Sequence, residues 1–269
     1  MKNRISIIGC GWLGLPLAKA LISEGYKIKG STTSQNKIED LKKASIDSYL
    51  IQLGENGISG NPSEFLAESE TVIINIPPGL RKNPSKNHVA EITHLVEAIE
   101  AAQIKHVLYV SSTSVFKDEE DFPVIDGDTL PNTTSSSSKQ LIEIEQMLQN
   151  NSNFNTTILR FGGLYDEERH PAEYLSGKKN VANPKAPINL IHKEDCIEII
   201  GTILKNNHWN MVFNAAHPDH PKKSEYYTAY CKQHSLQLPE FNSESKSKGK
   251  IIDSTNLVQL LNYTFKQAL

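Results

Sequence analysis

Apolar residues fall in short runs that alternate with stretches of helical period through the first 161 positions. The runs Arg4–Ile8, Tyr26–Lys29, Ser48–Leu53, Thr71–Ile76, His106–Val110 and Thr156–Phe161 read as strands. Between them, Leu13–Glu24, Lys37–Ala44, His88–Ala102 and Ser135–Leu148 carry apolar residues at helical spacing. This alternation predicts a parallel sheet with helices on both faces, a doubly wound α/β fold. Uninterrupted triplets such as Val72-Ile73-Ile74 fit strands buried on both sides. Beyond Phe161 the rhythm loosens. Residues 162–188 are rich in Gly, Pro and charge and read as loop with one short helix. Asp195–Lys205 and Lys223–His234 read as helices, Met211–Asn214 as a strand and Ser243–Lys250 as a polar loop. A last helix is expected over Asp253–Leu261, capped by Asp253 or Ser254.

The first strand runs directly into Gly9-Cys10-Gly11-Trp12-Leu13-Gly14 and then into a helix. A strand, a G-x-G-x-x-G turn and a helix in that order are a dinucleotide-binding fingerprint. Gly9 permits the tight turn, Gly11 lets backbone amides approach a pyrophosphate, and Gly14 lets the helix pack on the strand. The helix N-terminus adds unpaired amides and partial positive charge. Trp12 and Leu13 belong to the same turn, Trp12 chiefly as packing. The chain thus divides into a dinucleotide-binding domain over residues 1–161 and a smaller substrate lobe over 162–269, partly interleaved with the Rossmann sheet. In the NAD form of this fold an acidic residue ends the second strand and holds the ribose 2′-hydroxyl. Here the strand is followed by Ser31, Thr32, Thr33 and Lys37, with no carboxylate before Glu39. Hydroxyls and a lysine suit a 2′-phosphate, so NADP is the preferred cofactor and NAD the alternative. The plainer reading of the same segment is a polar connection.

Composition narrows the partners. A net charge of −3 on 269 residues gives no general attraction to nucleic acid or anionic membrane. No segment approaches the roughly 18 apolar residues of a membrane span. No leader is expected ahead of the first strand, and Cys10, Cys196 and Cys231 show no pairing pattern. Free thiols in a reducing cytoplasm are therefore expected, where the sequons at Asn132, Asn155 and Asn262 would go unused.

Later segments carry a family resemblance. His106-Val107-Leu108-Tyr109-Val110 leads into Ser111-Ser112-Thr113-Ser114-Val115-Phe116. This resembles the fifth strand and serine-rich segment of extended short-chain dehydrogenases/reductases of the nucleotide-sugar epimerase/dehydratase type. Val72–Pro78 resembles the fourth strand of that family, along which the cofactor lies, and Thr156–Tyr165 its sixth strand with the Gly-x-Tyr segment. Asn189–Asp195 and Val212–Ala216 resemble two later family segments in the right order. The resemblance implies a catalytic role for Ser112 and a ribose-binding role for Lys139. It implies cofactor contacts from Ile76, Pro77, Ser111 and Phe161.

The chain also departs from that pattern. The family carries Tyr-x-x-x-Lys, whereas Ser135 stands four residues before Lys139. The family phenol moves a proton to or from the substrate while nicotinamide moves a hydride, its pKa lowered by the lysine. A serine anion is far more basic, and its side chain is short. Ser135 is thus a candidate either for catalysis or for capping the helix that bears Lys139. The family's usual glycine turn is G-x-x-G-x-x-G. Both departures point to an atypical branch, and Gly249-Lys250-Ile251-Ile252-Asp253 is a further distinctive segment near the C-terminus. Tyr165, His170 and Tyr174 follow the sixth strand, with His170 or Tyr165 a candidate for proton transfer; Arg169-His170 and Lys178-Lys179 are candidates for an anionic substrate, the plainer reading of the lysines being a charged surface loop. His217-Pro218-Asp219-His220 has no accompanying ligand cluster and is not assigned to a metal. The expected function is an NAD(P)-dependent epimerase-like or reductase enzyme on a small polar or anionic substrate, nucleotide sugars included. The alternative is a non-catalytic redox sensor or partner-binding module. A homodimer is compatible with either; nucleic acid and membrane are not expected partners.

Overall fold

The computed structural model describes residues 4–80 and 82–269. Seven strands form the central sheet: β1 Arg4–Ile8, β2 Lys27–Thr32, β3 Asp47–Leu50, β4 Ser69–Ile74, β5 His106–Ser112, β6 Asn155–Phe161 and β7 Val212–Ala215. Their order is β7-β6-β5-β4-β1-β2-β3 in a parallel sheet. β1 therefore lies between β2 and β4, where the winding reverses, and a doubly wound fold binds ligands at that reversal. The register pairs Ile7 with Gly30 on one side of β1 and Ile8 with Ile74 on the other. Ile5, Ile7, Ile8, Val72, Ile73, Ile74, Val107 and Leu108 are all buried. Both faces of these strands are covered, which is why consecutive positions are apolar.

The helices are α1 Gly14–Ser23, α2 Ile38–Lys43, α3 Pro62–Leu66, α4 His88–Ala101, α5 Ser136–Gln149, α6 Pro171–Leu175, α7 Lys193–Asn206, α8 Lys223–Gln233 and α9 Thr255–Leu261. α4 buries Ile92, Leu95, Val96 and Ile99, and α5 buries Leu141, Ile144 and Leu148, each a stripe at three-and-four spacing. Among the described residues no helix is long and apolar enough to cross a membrane.

The structure corrects the sequence expectation in places. β2 continues three residues past Lys29, so Gly30, Ser31 and Thr32 are strand rather than connection. Gly30 is tightly enclosed: a methyl there would meet Ile46 Cγ2 at 2.6 Å and Cys10 Sγ at 2.7 Å. Lys29, also in β2, is buried, and its ammonium donates to the carbonyls of Glu64 and Ala67 at the end of α3. The expected strand Ser48–Leu53 breaks after Leu50, because Gln52–Gly54 turns back on Gly57–Ser59 as an antiparallel hairpin. α3 was not expected; it is one turn, begun by Asn61, whose side chain accepts from the Glu64 amide. α9 starts at Thr255, and the Ser254 hydroxyl bonds the backbone of Ala216 instead of capping the helix. The amide of Thr255 is instead taken by Asp253 Oδ1 at 2.8 Å.

The chain forms two compact units. The first comprises the described residues up to Ser111 with Thr134–Leu159 and Ile200–Val212; the second comprises Ser112–Thr133, Arg160–Ile199 and Phe213–Leu269. In the second, Gly163–Tyr165 pairs with Leu190–His192, and Val124–Ile125 pairs with Ile251–Ile252, both parallel. An apolar cluster of Tyr165, Ala172, Ile188, Leu190, Tyr227 and Cys231 packs this unit. Cys10, Cys196 and Cys231 are free and buried.

Gly14 gives the sharpest test of this packing. A methyl at this position would lie 2.2 Å from the Gly9 carbonyl oxygen. Gly14→Ala is expected to lower the unfolding free energy by about 2 kcal/mol in urea titration, the usual scale of overpacking. An unchanged midpoint would contradict the contact.

Candidate dinucleotide site

The turn after β1 is pinned from both neighbouring strands. Gly9 has φ +97°, and a methyl on it would lie 2.3 Å from the Asn75 carbonyl oxygen, so glycine is required twice over. On the β4 side, the Asn75 amide donates to Ile8 O at 2.9 Å and its side chain donates to Gly9 O at 3.1 Å. On the β2 side, the Cys10 amide donates to Ser31 O at 2.8 Å and the Gly9 amide to the Ser31 hydroxyl at 3.0 Å. Gly11 differs from its neighbours. It is exposed, and a methyl there would find no atom within 4 Å. α1 then begins without an acceptor of its own: Leu13 precedes it and its first turn has no acidic residue. The Leu15 amide donates to Gly11 O at 3.1 Å and the Gly11 amide to Gly9 O at 2.9 Å, while Pro16 has no amide hydrogen. The result is an open, uncharged cradle facing a helix N-terminus.

Several residues assigned to the cofactor brace this cradle. Ser31 is buried, and its hydroxyl accepts from the Gly9 amide, which turns it toward the glycine turn. Thr32 is buried, and its hydroxyl accepts from Ser34 N at 3.2 Å. Thr33 and Lys37 are exposed beyond the strand. Trp12 and Ile76 are half-buried, Pro77 is exposed and Leu13 is buried. Burial pushes the Cys10 thiol up to about 12, so it stays protonated against Gly30.

At the end of β5 the two serines part. Ser111 is buried and its hydroxyl donates to Glu145 of α5 at 2.5 Å. Ser112 is half-buried, and its hydroxyl accepts from the Ser114 amide at 3.1 Å, capping a single 3-10 turn over Thr113–Val115. Its own hydrogen remains available for donation. Ser135 occupies the N-cap position of α5, but its hydroxyl bonds the Ser137 hydroxyl at 2.9 Å instead of a first-turn amide. Lys139 is exposed one turn into α5. Phe161 ends β6 fully buried, so only its backbone could meet a ligand.

The substrate candidates lie in the second unit. The buried Tyr165 hydroxyl donates to Ala268 O at 2.9 Å. His170 is buried; its Nδ1 accepts from Ala172 N at 3.2 Å, which leaves Nε2 to donate to the Tyr226 hydroxyl at 3.0 Å. Its ring stacks on Tyr230 with centroids 3.6 Å apart. Burial, with a smaller push from His234, lowers this imidazole to about 4. Tyr165 thus ties down the C-terminal segment, and His170 caps α6. Arg169 is exposed, and Lys178 lies over the exposed Tyr174 ring. Among the described residues no cluster of three His, Cys, Asp or Glu could hold a metal.

Residues 9–193 match the family described as NAD(P)H-binding. The chain belongs to the NAD(P)H-binding family. It is similar to protein YeeZ of Escherichia coli K12, at 29% identity over 98% of this chain and 96% of that one. Among solved structures it resembles the UDP-glucuronic acid 4-epimerase of Bacillus cereus in complex with UDP-glucuronic acid and NAD. That likeness has a TM-score of 0.80 at 16% identity, over 98% of this chain and 95% of the other. A short-chain dehydrogenase/reductase superfamily protein of Agrobacterium tumefaciens with bound NAD aligns with a TM-score of 0.76. Its identity is 14%, over 99% and 93% of the two chains. These likenesses show the shared fold.

The residues present fit the dinucleotide of an NAD(P)H-binding protein. The volume a methyl would fill at Gly11 is vacant while Gly9 and Gly14 are closed. Sequence reasoning missed Asn75 and Glu145. A lone Asn closing the apolar run Thr71–Ile74 was the available signal for Asn75; nothing local marked Glu145.

Two outcomes follow from this geometry. Gly11→Ala is expected to leave unfolding within about 0.5 kcal/mol of the native chain, yet to weaken NADPH binding at least tenfold by calorimetry, about 1.4 kcal/mol. Unaltered affinity would remove the cradle from the site. His170 is neutral when folded, since its pKa of about 4 lies below the ordinary 6.5. The unfolded chain therefore binds more protons between these values. Stability should be full above about pH 6.5 and fall by roughly 3 kcal/mol as pH drops to 4. Urea titrations across that range should show a flatter slope for His170→Asn; an identical slope would assign the loss elsewhere.

Proposed function

We propose that this chain uses a nicotinamide dinucleotide, NADP in preference to NAD, in a reductase or epimerase-like reaction. The substrate is small and polar or anionic, of the nucleotide-sugar class. The observation that carries the reading is the vacancy at Gly11 between two closed glycines, at the reversal of the sheet. The similar epimerase, which holds UDP-glucuronic acid and NAD, supports the substrate class. The exposed Thr33 and Lys37, with no carboxylate before Glu39, support the 2′-phosphate. Three buried free thiols accord with a reducing, cytoplasmic setting.

When bound, nicotinamide supplies or accepts a hydride. Lys139 offers an ammonium to the ribose hydroxyls. Ser112, oriented by the Ser114 amide, donates its hydrogen to the substrate oxygen on which charge develops. Ser135 is not assigned the proton transfer, because an alcohol beside one lysine remains too weak an acid at neutral pH. That substitution favours a second reading, in which the chain binds the cofactor without turning it over and serves as a redox sensor or partner-binding module.

Thermal shifts with NADPH and NADH test the cofactor, and the larger shift is expected with NADPH. Lys37→Glu should cost NADPH about tenfold in affinity, about 1.4 kcal/mol, and leave NADH nearly unchanged; a larger native shift with NADH would reverse the preference. Consumption of NADPH across a panel of UDP-sugars tests the chemistry. Ser112→Ala should lower kcat by about a hundredfold. Tight NADPH binding with no consumption on any panel member would leave the second reading.

A further inference from the structure

The stretch Gly249–Asp253 belongs to none of the residues assigned to the cofactor. Its contacts lead to the serine-bearing turn. The 3-10 turn Thr113–Val115 is closed at its start by the Ser112 hydroxyl on Ser114 N. At its end the Phe116 amide returns to Thr113 O at 3.2 Å. Phe116 is buried, and its carbonyl accepts from Lys250 Nζ at 2.9 Å. The same ammonium pairs with Asp118 Oδ1 at 2.7 Å. Lys250 is only 8% exposed.

A buried lysine can hold a turn only if its own backbone is fixed, and here it is. Gly249 and Glu119 exchange amide-to-carbonyl bonds of 2.8 and 3.0 Å. A methyl on Gly249 would press on Pro187 and Ala186 at 3.1 and 3.2 Å, so the strand lies too close for a larger residue without displacement. The amides of Ile251 and Asp253 donate to Pro123 O and Ile125 O. Asn189 brackets Lys250 itself, donating to Lys250 O at 2.9 Å and accepting from Ile252 N at 2.8 Å. The outer pairs of Glu120 with Lys246 and Lys248 are solvent-exposed and add little. Removing the ammonium would leave a buried carbonyl without a donor at the foot of the turn, which costs more than an ordinary hydrogen bond yields.

We propose that Lys250 is a positioning residue for Ser112: the strap Gly249–Asp253 carries its ammonium to Phe116 and holds the serine-bearing turn from its far end. The functional consequence rests on the reading of Ser112 as the substrate-facing hydroxyl; the mechanical coupling does not.

Amide-resolved hydrogen exchange on the full chain separates the two. The Ser114 amide reports the Ser112 bond directly. Lys250→Met keeps the stem and removes the charge. It should speed exchange at Ser114 and Phe116 about tenfold or more while α7 and α9 stay protected. Ser112→Ala should speed Ser114 alone, and Ser112→Ala with Lys250→Met should add little at Ser114 beyond either single change. A purely stabilising lysine would instead give additive effects spread across the unit. If Lys250→Met does not fold, Asp118→Ala loosens the ammonium while sparing its Phe116 contact, and about a threefold rise at Ser114 is expected. Ser114 exchange within about twofold of native in the folded variant overturns the proposal. Coupled exchange together with Ser112→Ala turning over a UDP-sugar at the native rate would keep the strap and reject the role of Ser112.

Discussion

The structure depends on one close approach, the Gly9 turn against the backbone of Asn75. β1 must stop level with β2 and β4 for the sheet to open where its winding reverses. The bonds from Asn75 and Ser31 fix that level from both sides. Once Gly9 is fixed, its carbonyl leaves no room for a side chain at Gly14, and α1 is drawn onto the strand. Gly11, between them, is the only one of the three whose missing side chain faces empty space. The same residue type thus serves conformation at Gly9, packing at Gly14 and vacancy at Gly11.

Strand ends in this chain are finished by short polar side chains. A parallel ladder ends with backbone groups that no further strand can satisfy. Ser31, Asn75, Ser111 and Ser112 sit where β2, β4 and β5 stop or just beyond, and each bonds a named neighbour. Buried polar groups are costly unless paired, and pairing makes them specific. Each strand end is held in place by its own bonds. This explains why residues of catalytic type can be structural here. A serine can serve both roles, since accepting from an amide leaves its hydrogen to donate; Ser112 keeps that hydrogen, and Ser111 gives its own to Glu145.

Much of this was legible in sequence where the cause is local. β1 ends where its apolar run ends, and the tight turn at Gly9 and close packing at Gly14 followed from the motif. Legibility failed for two physical reasons. Some elements are too short to carry a period: the hairpin at Gln52–Ser59, α3, and the paired segments 190–192 and 251–252 exist because a distant partner completes them. Some residues act across long separations. Asn75 reaches Gly9 over 66 positions and Lys250 reaches Phe116 over 134, so no window around either residue contains its reason. β2 was cut short because Gly30-Ser31-Thr32 looks like a connection, although small residues are what its crowded end can hold.

The histidines of the second unit show why residue type alone misleads about chemistry. His170, His192 and His217 each use Nδ1 to accept the amide two residues onward, at 3.2, 3.2 and 3.1 Å. This is the capping geometry usually made by Asn or Asp. It requires the neutral ring with hydrogen on Nε2, since a proton on Nδ1 would face an N–H. In His217-Pro218-Asp219-His220 the two rings differ: Nδ1 of His217 accepts from Asp219 N, whereas Nδ1 of His220 donates to Ile188 O at 3.0 Å. The braces of the glycine turn, Ser31 and Asn75, do not titrate. Burial lowers the pKa of His170 and of His217, so acid acts on those two caps of the second unit, whereas Ser31 and Asn75 keep their bonds.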